Sequence, residues 1–349
     1  LNLKSQDGNG EPKVFRLTGT GFYAFPEWSP DSKRITFTDN GRNLWLLDLT
    51  TSLITKIDSD EIYFPGPFRN MHGDWSSDSR WIVYTKMLNN FYRIVSLYSV
   101  DQQKSFPVTD GLSDASDPVF DKGGDYIYFF ASTDAGPVIN WFDLSSADMR
   151  MTNSIYLATL RKDITSPFAK ESDEEKGIEP APGAEKAAAA VAGKSSGKVS
   201  PKDAKKAPEA EKNNILKIET DGLQERIVNI PLSAGNYRNL GVAVKGEILY
   251  IASGDDGRSV LHKYSLTDRK DEEVMDLDGY EISADGKKMI YTKWQTFGIT
   301  DAGRKPEPGK GILNTGALTV RIDPAEEWKQ IFDEAWRVNR DYFYDPGMH

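Results

Sequence analysis

The chain predicts an all-β fold: a β-propeller of four-stranded blades, followed by one C-terminal α-helix. Three observations carry this reading: a motif that recurs at blade spacing, a tight turn inside every copy, and a change of apolar period near residue 323. Pro26-Glu-Trp-Ser-Pro-Asp-Ser-Lys-Arg-Ile-Thr-Phe37 returns as Gly73-Asp-Trp-Ser-Ser-Asp-Ser-Arg-Trp-Ile-Val-Tyr84, Pro118-Val-Phe-Asp-Lys-Gly-Gly-Asp-Tyr-Ile-Tyr-Phe129 and Glu281-Ile-Ser-Ala-Asp-Gly-Lys-Lys-Met-Ile-Tyr291. In each copy an anchor (Trp28, Trp75, Phe120, Ile282) closes the first strand. Asp with Ser or Gly then makes a turn, and an alternating apolar run opens the second strand. Trp28 and Trp75 lie 47 positions apart, and Trp75 and Phe120 lie 45 apart. A period of roughly 40 to 50 residues with several strands per unit is the propeller signature. One such sheet cannot bury both faces alone, so blades stack radially around a channel.

Taken in order, Leu1–Lys4 reads as the last strand of a unit whose earlier strands lie upstream, and Pro12–Leu17 as an outer strand. With Leu1 in place of Met, this predicts an internal piece of a longer protein. A blade follows over about Phe22–Ile57, with Asn43–Leu49 as a strand buried on both faces, and another over Met71–Val108. Asp39-Asn-Gly41 and Asp255-Asp-Gly257 are expected hairpin turns, Asn and Gly taking the positive φ. The next blade starts near Ser116 and is interrupted twice. Gly136–Thr152, containing Asn140-Trp-Phe-Asp-Leu144, reads as an apolar loop packed on one rim. Ala169–Lys212 has nine Lys, nine acidic residues and no aromatics. Such a segment buries too little apolar surface to offset chain entropy and reads as a disordered insertion.

Strands resume at Asn213–Ile218 and Glu225–Ile230 and complete that blade. Two further units cover about Asn239–Met275 and Leu277–Ile322, the second closing with a strand Ala317–Ile322. Residues 1–322 therefore hold roughly five to six blades, and a closed ring of seven needs one or two more from upstream. From Asp323 the apolar period becomes about 3.6. Asp323 suits an N-cap, Pro324 the first helical position, and Glu326 and Glu327 the first turn. Trp328, Ile331, Phe332, Ala335, Trp336 and Phe343 form a wide apolar face, and Asp345-Pro-Gly347 ends the helix. That face implies a following domain, with residues 323–349 its first helix.

Composition narrows the function. A net charge of −10 and a pI near 5.0 argue against a dedicated nucleic-acid surface. With no cysteine, disulfides, thiolate metal sites and a cysteine nucleophile are excluded. No stretch approaches the roughly 18 to 20 apolar residues that span a bilayer.

The blade motif alone resembles the propeller repeats of TolB and of prolyl-oligopeptidase-like enzymes. Two stretches narrow the resemblance. Asn140-Trp-Phe-Asp-Leu-Ser-Ser-Ala-Asp148, with Ser154–Leu157 and Leu160–Phe168 ahead of a charged insertion, is similar to the second propeller of bacterial tricorn protease homologues. Glu327–His349 is similar to the first helix of that family's catalytic core. The resemblance implies a large, self-assembling serine peptidase that trims oligopeptides. In it, this propeller serves as a substrate passage or filter between an upstream propeller and a downstream core. The family's nucleophile, histidine and acidic partner match no residue here, so the resemblance implies a segment that is inert by itself, without cofactor or metal. Its relatives imply a cytoplasmic location, or a periplasmic or secreted one. Two competing readings remain: a TolB-like binding module and the propeller of a dipeptidyl-peptidase-like enzyme.

The candidate chemistry in the residues themselves is thin. His72, beside Gly73-Asp-Trp75, and His262, on an alternating strand, read as structural, and His349 lies in a helix-ending turn. Asp31, Asp78 and Asp285 recur at one turn position, which favours backbone capping. Asp121-Lys-Gly-Gly-Asp125 lacks the alternating acids and distal Glu of a calcium loop. No Gly-x-Ser-x-Gly elbow occurs. Arg69 and Arg93, each beside aromatics on a loop, are the candidate peptide contacts, since a guanidinium binds carboxylates bidentately; blade-to-blade packing is the competing role.

Overall fold

A computed structural model describes residues 1–7, 9–17, 21–63, 69–132, 151–169, 215–254 and 256–343. Contacts divide the chain into Leu1–Pro167 with Ile215–His349, which carries every sheet and the helix, and Phe168–Asn214. The expected Asn140–Leu144 excursion, nearly all of the 169–212 insertion and the Asp345–Gly347 stop lie outside the described residues.

Every sheet is an antiparallel meander. A two-stranded piece pairs β1 (Asn2–Leu3) with β2 (Lys13–Val14). Blade 1 is β3 (Tyr23–Trp28), β4 (Arg34–Asp39), β5 (Asn43–Asp48) and β6 (Ile54–Ser59). Blade 2 is β7 (His72–Trp75), β8 (Trp81–Met87), β9 (Arg93–Ser99) and β10 (Lys104–Pro107). Blade 3 is β11 (Asp114–Phe120), β12 (Tyr126–Ser132), β13 (Ser154–Thr159) and β14 (Ile227–Asn229). Blade 4 is β15 (Tyr237–Gly241), β16 (Glu247–Ser253), β17 (Ser259–Ser265) and β18 (Lys270–Asp276). Blade 5 has three strands, β19 (Gly279–Ile282), β20 (Lys288–Lys293) and β21 (Thr296–Asp301). The helix α1 spans Pro324–Tyr342. This is the expected propeller architecture, with the first strand β11 touching β7 and β15, and β15 touching β19.

The turn inside the motif explains why it recurs. In blade 1 the Ser29 hydroxyl donates to Asp31 Oδ1 (2.7 Å) and accepts the Arg34 amide (2.9 Å), while Asp31 accepts the Lys33 amide (3.1 Å). Ser76, Asp78 and the amides of Arg80 and Trp81 repeat these bonds in blade 2. Ser283, Asp285 and the amides of Lys287 and Lys288 repeat them in blade 5. The residue that needs a left-handed backbone is Ser32, Ser79 or Gly286, with φ of 57°, 60° and 70°. Capping by Asp31, Asp78 and Asp285 is thus the observed role. The turns also join blades: the Asp31 amide donates to Ser79 Oγ (3.0 Å), and Asp78 Oδ2 accepts the Leu216 amide (2.8 Å).

The core lies between sheets. Leu44 and Leu46 of blade 1 pack on Trp75, Ile82 and Tyr84 of blade 2, and Trp81, Val83 and Val95 of blade 2 pack with Phe120, Ile127 and Phe129 of blade 3. This explains a departure among the anchors. Trp75 and Phe120 are 5% and 4% exposed, and Ile282 is half-buried, but Trp28 is 50% exposed. The preceding piece, β1–β2, packs its Leu1, Leu3 and Phe15 on Phe37 and Leu47 instead.

Two strand expectations and one turn expectation are corrected. Ala317–Ile322 is not a strand: Gly311–Leu313 already takes the edge of β21, through Ile299 N to Gly311 O (2.7 Å) and Leu313 N to Phe297 O (2.9 Å). Ile215–Ile218 is not a strand either. Its Leu216 amide is spent on Asp78, and the outer position of blade 3 is filled by Ile227–Asn229. At Asp39–Arg42 the positive φ falls on Arg42 (64°) and not on Gly41. The Arg42 amide donates to Asp39 O (3.1 Å), so the turn closes one residue later than expected. Gly257, by contrast, has the expected positive φ (78°).

The helix starts as its cap dictates, Asp323 accepting the Ala325 amide (3.1 Å). Its far end is held on blade 1: Asn40 Nδ2 donates to Asp341 O (3.2 Å), Tyr342 meets Phe22 edge-on, and Arg337 lies over the Phe22 ring. Trp328, Ile331, Phe332 and Trp336 remain exposed along the expected apolar face.

Candidate functional site: the inner wall

Four of the five first strands carry a β-bulge: between Ala24 and Glu27, His72 and Asp74, Ser116 and Val119, and Arg238 and Gly241. Three bulge residues, Phe25, Asp117 and Asn239, have positive φ. Gly73 is the bulge residue of blade 2. A Cβ there would lie 2.6 Å from Pro118 O and 2.9 Å from Val83 O, so glycine lets β7 pass close to β11.

The strands place carboxylates together. Glu27, Asp74 and Glu281 each immediately precede an anchor, and Asp117 occupies the bulge of β11. Burial raises the pKa of Glu27, and the charges of Glu281 and Asp74 raise it further. Glu281 of blade 5 thus adds to the charge that acts on Glu27 of blade 1. Burial pushes Asp74 up to about 6, against the hydrogen bond from the Phe120 amide (3.0 Å), the charge of Lys122 and the amide of Trp75 (2.8 Å). Burial raises Asp117 too, while Arg93 and the Asn239 amide oppose it, and burial raises Glu281. Each of these carboxylates holds its proton more tightly than a free one.

Both candidate arginines serve as clamps. Arg69 donates Nε to Asp60 (3.1 Å), Nη1 to Thr85 Oγ1 (2.6 Å) and Nη2 to Asp60 and to Thr85 O. Arg93 donates Nε and Nη2 to Asp114 at 3.0 and 2.6 Å, and its amide donates to the same carboxylate (2.8 Å). Burial works to lower the pKa of Arg93, but the Asp114 hydrogen bond and the charges of Asp114, Asp117 and Asp60 leave it raised. Of the two, Arg93 stands by the wall, because its charge acts on Asp117.

Two of the three histidines, His72 and His262, are held by hydrogen bonds within and between blades. His72 Nδ1 lies 3.2 Å from Thr36 Oγ1 and ties blade 2 to blade 1; burial pushes its pKa down to about 3, so the ring is neutral. His262 Nδ1 lies 2.7 Å from Asp271 Oδ2, and its ring stacks on Tyr250, whose hydroxyl donates to the same carboxylate (2.8 Å). His262 and Asp271 have the form of two-thirds of a serine triad, but among the described residues no serine hydroxyl bonds this imidazole. His349 lies outside them. No group of acidic and histidine side chains among the described residues is arranged to hold a metal ion. Sequence reading passed over the wall carboxylates, although acid before the anchor in three of four repeats was a visible signal.

Bulged four-stranded meanders with Ser-x-Asp turns, set around an acid-lined axis, define a β-propeller that carries no assembled catalytic triad among its described residues. Residues 1–303 match the model of the tricorn protease second beta propeller domain and residues 324–349 that of the tricorn protease C1 domain, and the chain belongs to the tricorn protease family. It is 26% identical over 308 residues to putative tricorn protease homolog 2 of Streptomyces coelicolor, covering 81% of this chain and 24% of that one. It is 23% identical over 334 residues to the tricorn protease of Thermoplasma volcanium, covering 91% of this chain and 28% of that one. A crystal structure of a tricorn protease superposes with a TM-score of 0.67 at 17% identity, over 97% of this chain and 30% of the other. The chain thus spans about a quarter to a third of these relatives.

Proposed function

We propose that this propeller is the passage by which peptides reach the catalytic core of a tricorn-like serine peptidase. The observation that carries the reading is the wall of Glu27, Asp74, Asp117 and Glu281 around the axis. Carboxylates fixed on low-dielectric walls focus a negative potential into the channel, which draws in cationic and neutral chains and slows acidic ones. A channel between blades also excludes folded proteins while admitting extended segments. Residues 323–349 begin the core that receives the peptide, and the exposed face of α1 is where the rest of that core packs. Arg93 borders the passage and is the better of the two candidate peptide contacts, with Arg69 a clamp behind it. In this reading the parent chain works as a homo-oligomer in the cytoplasm. No described helix is long and apolar enough to cross a membrane.

The test compares the full-length parent with a variant carrying Glu27→Gln and Glu281→Gln, on matched fluorogenic peptides ending their N-terminal side in Lys-Lys or Glu-Glu. The parent should cleave the basic peptide faster at low salt, and the variant should lose most of that preference while cleaving a neutral tripeptide normally. Unchanged discrimination would remove the wall from the mechanism. Absence of peptidase activity in the parent would remove the passage itself.

A further inference from the structure

Away from the axis, blades 4 and 5 enclose a second feature, a cavity of about 580 Å³. Its floor is apolar, with Val260 and Tyr291 buried and Met275 partly so. Its rim carries three cations, Arg258, Lys293 and Lys305, against the two carboxylates Glu273 and Asp276. Arg258 is committed to Asp276 at 2.7 Å. Lys293 reaches that carboxylate only at 3.5 Å, and Lys305 has no ion-pair partner among the described residues. Lys293 and Lys305 thus line the cavity with hydrogen-bonding capacity to spare.

Trp294 completes the lining. It is the first residue of the two-residue loop between β20 and β21, with φ of 55° and 86% of its surface exposed. Glycine is favoured at such a position, because a Cβ there is strained. A bulky side chain with positive φ is an outlier, and a free indole face in water adds to its cost. Its amide donates to Asp278 Oδ2, which fixes the loop in this strained form. Tryptophan is the least economical residue for this turn, and it stands beside the two lysines over an apolar floor. Positive φ recurs at other turns of this chain, and what sets Trp294 apart is a large exposed indole in that conformation beside a cavity.

We propose that this cavity binds a carboxylate that carries a flat or aliphatic group. The carboxylate sits between Lys293 and Lys305, and the apolar group lies between the Trp294 indole and the Val260–Met275 floor. The volume is in the range of small-ligand sites, roughly 300 to 1,000 Å³. Two sources present this chemistry, the C-terminal residue of a short peptide and a free aromatic acid. The site is separate from the wall carboxylates, since it is built from loops, from β17 and β18 of blade 4 and from β20 and β21 of blade 5, and from none of the first strands.

The experiment is titration calorimetry of the 349-residue protein with three probes: Ala-Ala-Phe, its C-terminal amide and 3-phenylpropionate. The free tripeptide acid should bind, with affinity falling as salt is raised, and the amide should bind about tenfold more weakly. Joint Lys293→Gln and Lys305→Gln replacement should weaken binding by about tenfold as well. Trp294→Gly should abolish most of the binding while raising the melting temperature, because glycine relieves the turn; this separates loss of the ligand from loss of the fold. Tighter binding of the tripeptide than of 3-phenylpropionate assigns the site to peptide ends, and equal binding assigns it to aromatic acids. No binding of any probe at millimolar concentration overturns the proposal. So does full binding by Trp294→Gly.

Discussion

Replacing Asp74 with Asn should remove one residue's contribution to this propeller's response to pH, so that the stability difference between the two proteins changes sign between pH 4 and pH 7. Asp74 accepts the amides of Trp75 and Phe120 (2.8 and 3.0 Å) on the inner wall, and burial lifts its pKa from 3.8 to about 6. The folded state therefore binds more protons than the unfolded chain between those values. Stability is lost as pH rises through that window, at about 1.4 kcal/mol per pH unit. The full penalty at neutral pH is roughly 3 kcal/mol. Asparagine keeps one acceptor for one of the two amides and carries no charge. Its loss of the second hydrogen bond costs about 1 kcal/mol at every pH. Asp74→Asn should thus be less stable than the native chain near pH 4 and more stable by about 2 kcal/mol near pH 7. His72 acts in the opposite direction: with a pKa pushed down to about 3, it stays neutral when folded and contributes stability that is lost as pH falls below 6.5. Because it is present in both proteins, its contribution cancels in the difference. Urea unfolding at half-unit steps from pH 4 to pH 7.5 reads that difference directly. A difference that does not change with pH would refute burial as the cause of the Asp74 shift.

Other outcomes follow from single contacts. Gly73→Ala should destabilise by about 2 kcal/mol or more, since the new Cβ would lie 2.6 Å from a backbone oxygen of blade 3; a thermal melt checks it. Gly298→Ala should cost about 1 to 3 kcal/mol, because its Cβ would lie 2.3 Å from the Tyr291 ring and would push that ring into the cavity of blades 4 and 5. Ser76→Ala removes one donor and one acceptor from the blade 2 turn and should cost about 1 kcal/mol or somewhat more in urea unfolding. Tyr280→Phe deletes a hydroxyl whose single hydrogen is shared between Asn239 O and Leu249 O and should lower stability by about 1 kcal/mol or somewhat more. Its pKa is already raised well above 10.0 by burial, so the loss should be constant across neutral pH.

The amino-acid sequence determined what depends on local chemistry. The Ser-x-Asp turns, the strand alternation around them and the Asp323-Pro324 helix start need only neighbours within a few residues. Periodicity and turn chemistry therefore revealed them together with the blade spacing. Tertiary structure decided what depends on who stands opposite. Trp28 and Trp75 occupy the same motif position, yet one is exposed and one buried, because only the second has Leu44 and Leu46 over it. Ala317–Ile322 has the composition of a strand, but a sheet edge accepts a single neighbour, and Gly311–Leu313 already occupied that edge. Arg69 and Arg93 look alike as loop arginines, whereas their roles depend on Asp60, Thr85 and Asp114, at 9, 16 and 21 residues' separation. The wall carboxylates are separated by tens of positions in the chain and become one electrostatic unit only when the first strands curve around a common axis. A charge's field acts through space, and sequence distance carries no information about it.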